Sequence, residues 1–217
     1  MRRAPGAALL ARWHALWDAA LFSRAVVVGI LAVGGHPLAS SAAESADESA
    51  AFDQLLKLLA ERHHDHVAFT EVQELAILDQ PLHSSGELLY DAPDRLEKRT
   101  LEPHREDLVL EHGMLSVERD HHRRSVSLHD FPQAVPFVES LRATLAGDRA
   151  ALARYFHVQF SGTLGSWRLE LTPRDPEAAR AVSRVIVTGE DARLETVEIL
   201  EADGDRTLLT LGPEIPP

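Results

Sequence analysis

The 217-residue sequence contains no cysteine. It can therefore form no disulfide, no thiolate metal site and no lipid anchor on a cysteine behind a leader. Basic residues are scarce: 22 Lys and Arg stand against 34 Asp and Glu, a net charge of −12. A surface this acidic repels nucleic acid and anionic head groups, so neither is an expected electrostatic partner. Motifs for chemistry are missing as well. There is no HExxH zinc signature, and the glycines form no phosphate loop. The nearest approach to a G-x-S-x-G nucleophile elbow, Phe160-Ser161-Gly162-Thr163, lacks the first glycine. Paired carboxylates such as Glu106-Asp107 fall in a chain that is acidic throughout and read as solvated faces. The expectation is a protein that is not an enzyme, with no catalytic residue, cofactor or metal. A hydrolytic site assembled from distant Ser, His and acid residues is the competing reading, since it leaves no local trace.

What is present begins with a leader. Arg2, Arg3, Arg12 and Arg24 precede an apolar core at 25–34, which is too short to span a bilayer, for which about 20 apolar residues are needed. His36-Pro37 ends the core, and Ser41-Ala42-Ala43 supplies small residues for a signal peptidase. The pattern predicts a signal peptide over 1–43, with an uncleaved anchor as the alternative. Its removal takes away four Arg and Asp18 and leaves a net charge of −15. Residues 44–50, acidic and Ser/Ala-rich, read as a flexible linker, and 51–217 as one domain.

Within that domain, Phe52, Leu55, Leu56 and Leu59 repeat with helical spacing behind Ser49 as N-cap. Alternating apolar positions then predict strands over 65–78, 82–91 and 95–101, and shorter ones marked by Leu108/Leu110, Leu115/Val117 and Val126/Leu128. Ala134, Val138, Leu141 and Leu145 return to helical spacing, stopped by Gly147, and Asp148 caps a second short helix over 149–154. Strands resume with Phe156, Val158 and Phe160, then Trp167, Leu169 and Leu171, and a closing meander over 182–188, 194–201 and 206–211. The fold class expected is mainly β with helices (α+β), with about eleven strands in up-and-down order and no βαβ alternation.

Several segments together resemble a known family. His66-Val67-Ala68-Phe69-Thr70-Glu71 is similar to its first strand. Gly86-Glu87-Leu88-Leu89-Tyr90-Asp91-Ala92-Pro93-Asp94-Arg95-Leu96 is similar to its glycine–strand–proline corner, with Pro103 following at a familiar distance. Leu169-Glu170-Leu171-Thr172-Pro173 and Gly204-Asp205-Arg206-Thr207-Leu208-Leu209-Thr210-Leu211 resemble its later strands. On these residues the chain looks like a divergent member of the periplasmic outer-membrane lipoprotein carriers (LolA-like proteins). The resemblance implies a half-open antiparallel β-barrel closed by a helical lid, located in the periplasm. Its apolar hollow would shield the acyl chains of a lipid or lipoprotein delivered towards the outer membrane. An inner-membrane donor and an outer-membrane acceptor protein are implied as partners, with the carrier acting as a monomer. The carriers commonly place an arginine before the corner proline. Here that position is Ala92, and the aromatic-rich stretch after the corner is replaced by Leu96-Glu97-Lys98-Arg99. The departure leaves fold and lipid handling implied, and the nature of the cargo open.

The lipid-binding candidates are the apolar strand positions Phe69, Leu88, Tyr90, Leu96, Leu108, Leu110, Leu115, Trp167, Leu169 and Leu171. To these are added Phe137, Val138, Leu141 and Leu145 of the candidate lid, with hinges at Gly147 and Phe131-Pro132. They either line a hollow or make an ordinary packed core, and barrels of this size do both. With a filled core the chain would be a non-catalytic scaffold or interaction domain. His63-His64-Asp65-His66 and Asp120-His121-His122 have ligand-like composition, but a helix end and a polar turn explain them equally.

Overall fold

The alternation of apolar and polar residues, period two from residue 64 onward, demands a sheet buried on one face. The computed structural model describes residues 41–130 and 135–216 and shows that sheet. A first helix, α1 (Ser41–Ala60), leads into six strands: β1 (His64–Glu74), β2 (Leu82–Asp91), β3 (Arg95–Glu102), β4 (Glu106–Glu111), β5 (Met114–Arg119) and β6 (His122–Ser127). A single 3-10 turn, Leu128–Asp130, precedes α2 (Val135–Leu145) and α3 (Arg149–Tyr155). The chain then forms β7 (Phe156–Thr163), β8 (Ser166–Pro173), a one-turn helix α4 (Pro176–Ala179), β9 (Val182–Glu190), β10 (Arg193–Glu201) and β11 (Arg206–Glu214).

All eleven strands belong to one antiparallel sheet in the order β6-β5-β4-β3-β2-β1-β11-β10-β9-β8-β7. The first and last strands of the chain's β-structure, β1 and β11, meet in the middle, and β6 and β7 are left as the two edges. The sheet is not closed. It is a half-open barrel, and the helices α2 and α3 lie in the connection between the two edge strands, where a lid must be. Residues 48–217 form one compact unit.

Register shows which side chains share the inner face. Val67, Phe69 and Glu71 of β1 stand opposite Leu88, Gly86 and Ser84 of β2 and, across β11, Phe69 and Glu71 oppose Leu211 and Leu209. The same face continues through Tyr90, Leu96, Leu110 and Leu115 on one side. On the other it runs through Val197, Val187, Leu169 and Phe160. α1 covers part of it: Leu55, Leu56 and Leu59 are buried, and the Phe52 ring stacks on Phe160 at 5.2 Å between centroids. Gly147 ends α2 with φ +60°, and a Cβ there would overlap the Leu56 carbonyl oxygen of α1, so glycine permits both the turn and the close approach. Arg149 pairs with Asp53 and lies over the Phe52 ring, tying α3 to α1.

Four details depart from the sequence expectation. The stretch 44–50 is part of the continuous α1 helix rather than an irregular linker. Its Glu, Ala and Ser residues are compatible with helix once the following turns are anchored by buried leucines. β1 stops at Glu74, not at 78, because the Ala76 amide is taken by the Asp205 carboxylate at 2.7 Å and Leu78 N–H bonds back to the Leu75 carbonyl. α4 was not expected, although Asp175 accepting from Glu177 N–H at 2.8 Å, followed by Pro176, is an N-cap signature. Leu108 is only half-buried. The proposed leader up to residue 40 and the hinge Phe131-Pro132 lie outside the described residues.

Candidate functional site

Among the described residues, the strand candidates share the inner face of the sheet under the helices. Phe69, Leu88, Tyr90, Leu96, Leu110, Leu115, Trp167, Leu169 and Leu171 are all buried on it, and Val138, Leu141 and Leu145 are buried on α2. Leu108 shares the face at its less covered β4 end. Phe137 belongs to α2, but its side chain is outside the described residues.

Two of these side chains have specific supports. The Trp167 indole N–H donates to the Asp191 carbonyl at 2.9 Å. Its ring lies where a Cβ on Gly189 would be, so the glycine opposite it in register opens the space the indole fills. Burial raises the Tyr90 phenol above its ordinary range, although Arg142 of α2 pulls the other way. The lid helix therefore places a cation, itself held by Glu139 at 2.7 Å, near the corner end of β2.

At that end α2 closes on the sheet almost without a gap. Leu145, Leu88, Tyr90, Val67, Leu194 and Leu211 surround a cavity of about 30 Å³. That is room for about one water, whereas sites for drug-sized ligands run from about 300 to 1,000 Å³. Arg62 guards the rim, ion-paired to Asp65 and to Glu214 at 2.6 Å; these carboxylates outweigh the burial that would otherwise weaken its charge. The space at this end is thus almost filled by side chains of the protein.

The opposite end of the inner face is charged, which the sequence pattern did not reveal. Lys98 bonds Glu71 at 2.6 Å, Ser84 Oγ donates to the same carboxylate at 2.7 Å, and the Lys98 ammonium lies 5.1 Å from the Phe69 ring centre. Register adds Glu106 and Arg119 beside them on the same face. Burial pushes the Glu106 carboxyl above the usual range, more than Arg119 and Lys98 pull it down. A carboxyl with a raised pKa favours the fold while protonated and loses that contribution as pH rises through its folded value. Glu106→Gln is therefore expected to raise the melting temperature at pH 7, with the gain disappearing below the ordinary glutamate pKa of about 4.3. Thermal melts of both proteins across pH would check it. The signal available in the sequence was alternation: Glu71, Lys98, Glu106 and Arg119 each occupy inward positions of their strands.

On the outer face Glu97 is buried beneath Arg95 at 2.8 Å and Arg99; burial alone would raise its carboxyl, but the two guanidinium hydrogen bonds win and lower it. The histidine groups are built into the sheet and its turns. His64 meets Asp91 at 2.6 Å and His66 meets Glu87 at 3.2 Å across β1 and β2. Among the described residues the cluster with metal-like spacing is instead Glu201, Asp203 and Asp205, carboxylates within 4.8 Å of one another at the β10–β11 turn. Two of them have structural duties, Asp205 holding Ala76 N–H and Asp203 accepting from the Asp205 amide at 3.1 Å. No described helix is long and apolar enough to cross a membrane.

Comparison with known proteins gives the family. The model of a family described as outer membrane lipoprotein carrier protein LolA-like matches residues 42–213. No curated protein sequence matches the chain. Among solved structures, a LolA superfamily protein from Nitrosomonas europaea aligns with 77% of this chain and 92% of its own at 10% identity, TM-score 0.45. LprF from Mycobacterium bovis aligns over 79% and 96% at 15% identity, TM-score 0.34. The MucA/MucB complex structure from Pseudomonas aeruginosa aligns over 77% of this chain and 59% of the matched chain at 18% identity, TM-score 0.38. With the family match extending from α1 to the end of β11, this chain belongs to the outer membrane lipoprotein carrier LolA-like family.

Proposed function

We propose that this protein is a periplasmic carrier that shields the acyl chains of a lipid or lipoprotein and delivers them towards the outer membrane. The observation that supports it most is the construction of the core. An apolar stretch of the sheet face is covered by helices, and each covering leucine can be replaced by hydrocarbon at little cost. Each methylene buried contributes roughly 0.8 kcal/mol, so a long acyl chain compensates for displaced lid contacts without specific polar bonds. The family supplies lipoprotein-binding, carrier-type domains, and its members are mostly non-catalytic.

In this reading an apolar tail enters where α2 meets β2, lifts the helix, and leaves when an acceptor offers better burial. Cleavage of the leader after Ala43, a carrier domain over 51–217, and action as a monomer between a membrane donor and an acceptor protein belong to the same proposal. Ala92 at the corner position favours a cargo handled by apolar burial alone over a dedicated lipoprotein. A scaffold domain with a permanently filled core is the second reading, favoured by the small cavity of about 30 Å³. Mass spectrometry of lipid co-purifying with the protein, together with uptake of a fluorescent fatty acid, separates them. The carrier predicts bound lipid or saturable uptake, and a protein that shows neither is a scaffold.

A further inference from the structure

Two neighbouring strands carry the same order of side-chain character along the inner face. On β4 the inward positions run Leu110, Leu108, Glu106, and on β5 they run Leu115, Val117, Arg119. Register pairs them one to one: Leu110 with Leu115, Leu108 with Val117 and Glu106 with Arg119. Leu110 and Leu115 are buried, and the positions beyond them are half-buried, so cover thins towards the charged pair. Four residues of strand, about 13 Å, separate the buried leucines from the charges. An apolar track thus ends in one carboxylate and one guanidinium.

The pair does not close on itself. Opposite charges at facing positions of an antiparallel pair lie within reach of each other. Yet among the described residues Arg119, its side chain 15% exposed, meets only Asp120 of the following turn, at 3.9 Å. Glu106 has no ion-pair or hydrogen-bond partner among them. The other charges on this face are accounted for. Lys98 and Ser84 both bond Glu71, while Arg124 and His122 of the edge strand and Glu102 at the end of β3 are exposed. Asp107 and Glu118, adjacent in sequence to the pair, alternate to the outer face, where Arg99 and Arg123 stand opposite them. A half-buried charge without a partner is costly, and burial already holds the Glu106 carboxyl above its usual range. A single ligand group bearing both signs would satisfy both residues and add no net charge to an acidic chain.

We propose that Glu106 and Arg119 form a head-group subsite for an acyl amphiphile whose head joins a primary ammonium to a phosphate, as in an ethanolamine phospholipid. The ammonium donates to the Glu106 carboxylate, and the Arg119 guanidinium donates to two phosphate oxygens. The tail lies along Leu108 and Val117 towards Leu110 and Leu115. A glycerol phosphate head brings no cation for Glu106, and a choline head has no N–H to donate to it. The inference rests on the carrier reading, because the head reaches this pair only when the tail lies on the inner face.

Titration calorimetry tests it with four single-chain lipids that share one acyl chain, each kept below its micelle concentration. They are lysophosphatidylethanolamine, lysophosphatidylcholine, lysophosphatidylglycerol and the uncharged monoacylglycerol. The ethanolamine lipid is expected to bind about tenfold or more tighter than the other two phospholipids. Glu106→Gln and Arg119→Gln should each abolish that preference, while monoacylglycerol binds both variants as it binds the unaltered protein. Glu118→Gln, on the outer face, should keep the preference. Melting curves accompany each variant, and Glu106→Gln, expected to be the more stable protein, keeps the test decisive if Arg119→Gln does not fold. Equal affinity for the three phospholipids, a different order among them, or a preference that survives Glu106→Gln overturns the proposal. The carrier reading then stands as long as monoacylglycerol binds. Failure of all four lipids to bind removes the carrier reading and the subsite with it.

Discussion

Trp167→Ala is expected to destabilise the fold by about 3–5 kcal/mol, the usual range for removing a buried aromatic side chain. For a domain of this size each kcal/mol corresponds to about 2–4 °C in melting temperature, so a fall of roughly 10 °C or more should be read by calorimetry. The cost is high because nothing nearby can fill the space. Gly189 has no side chain to move in, and the Asp191 carbonyl loses the indole N–H that satisfies it. β8 and β9 are held together here, and the inner face they form with β7 is the floor on which α1 packs through Phe52 and Phe160. A loss below about 1 kcal/mol would mean that the indole is a replaceable wall of an open hollow and not part of a packed core.

Leu145→Ala separates stability from function. The side chain is buried at the small cavity between α2 and the corner end of β1, β2 and β11, and its truncation should cost about 2–5 kcal/mol of stability. If α2 must lift for cargo to enter, part of that loss falls on the closed state alone. Apparent affinity is the intrinsic affinity scaled by the fraction of protein that is open. Only about 1.4 kcal/mol appearing in the lid equilibrium would tighten fatty-acid binding about tenfold. A less stable protein with higher lipid affinity is therefore the expected pair of results in parallel melts and fluorescence titrations. A less stable protein with unchanged or weaker uptake would place Leu145 in a permanently filled core.

Much of this architecture was legible in the chain because one physical rule, burial on alternate positions, was followed by most strands. Trp167, Leu169 and Leu171 against Arg168 and Glu170 fixed both the strand and its buried face, and Gly147 with Asp148 marked the boundary between α2 and α3. The end of β1 was misjudged for a related reason. Ile77 and Leu78 satisfy the local strand pattern, but Asp205, far away in sequence, captures the Ala76 amide and turns the chain. Local propensity carries no information about such a partner. The charged end of the inner face was missed because an inward Lys or Glu breaks the apolar alternation and reads as solvent-facing until the register is known. Glu71, Lys98, Glu106 and Arg119 come from four strands, and only their pairing shows that they answer one another.

The same charged group explains how a half-barrel with so acidic a chain can present one apolar end and one polar end along a single face. An amphiphile placed with its tail at Tyr90, Leu88 and Leu145 would have its polar part directed towards Lys98 and Arg119. Whether cargo reaches that face depends on the lid.

Hydrogen exchange of α2 with and without an acyl ligand tests this most directly. The lid-displacement account predicts that the amides of Glu139–Leu145 are protected in cargo-free protein and exchange markedly faster when a long-chain fatty acid is bound, as the helix gives up its place on the sheet. Binding that leaves α2 as protected as before, or the absence of any binding, would contradict the lid-displacement account.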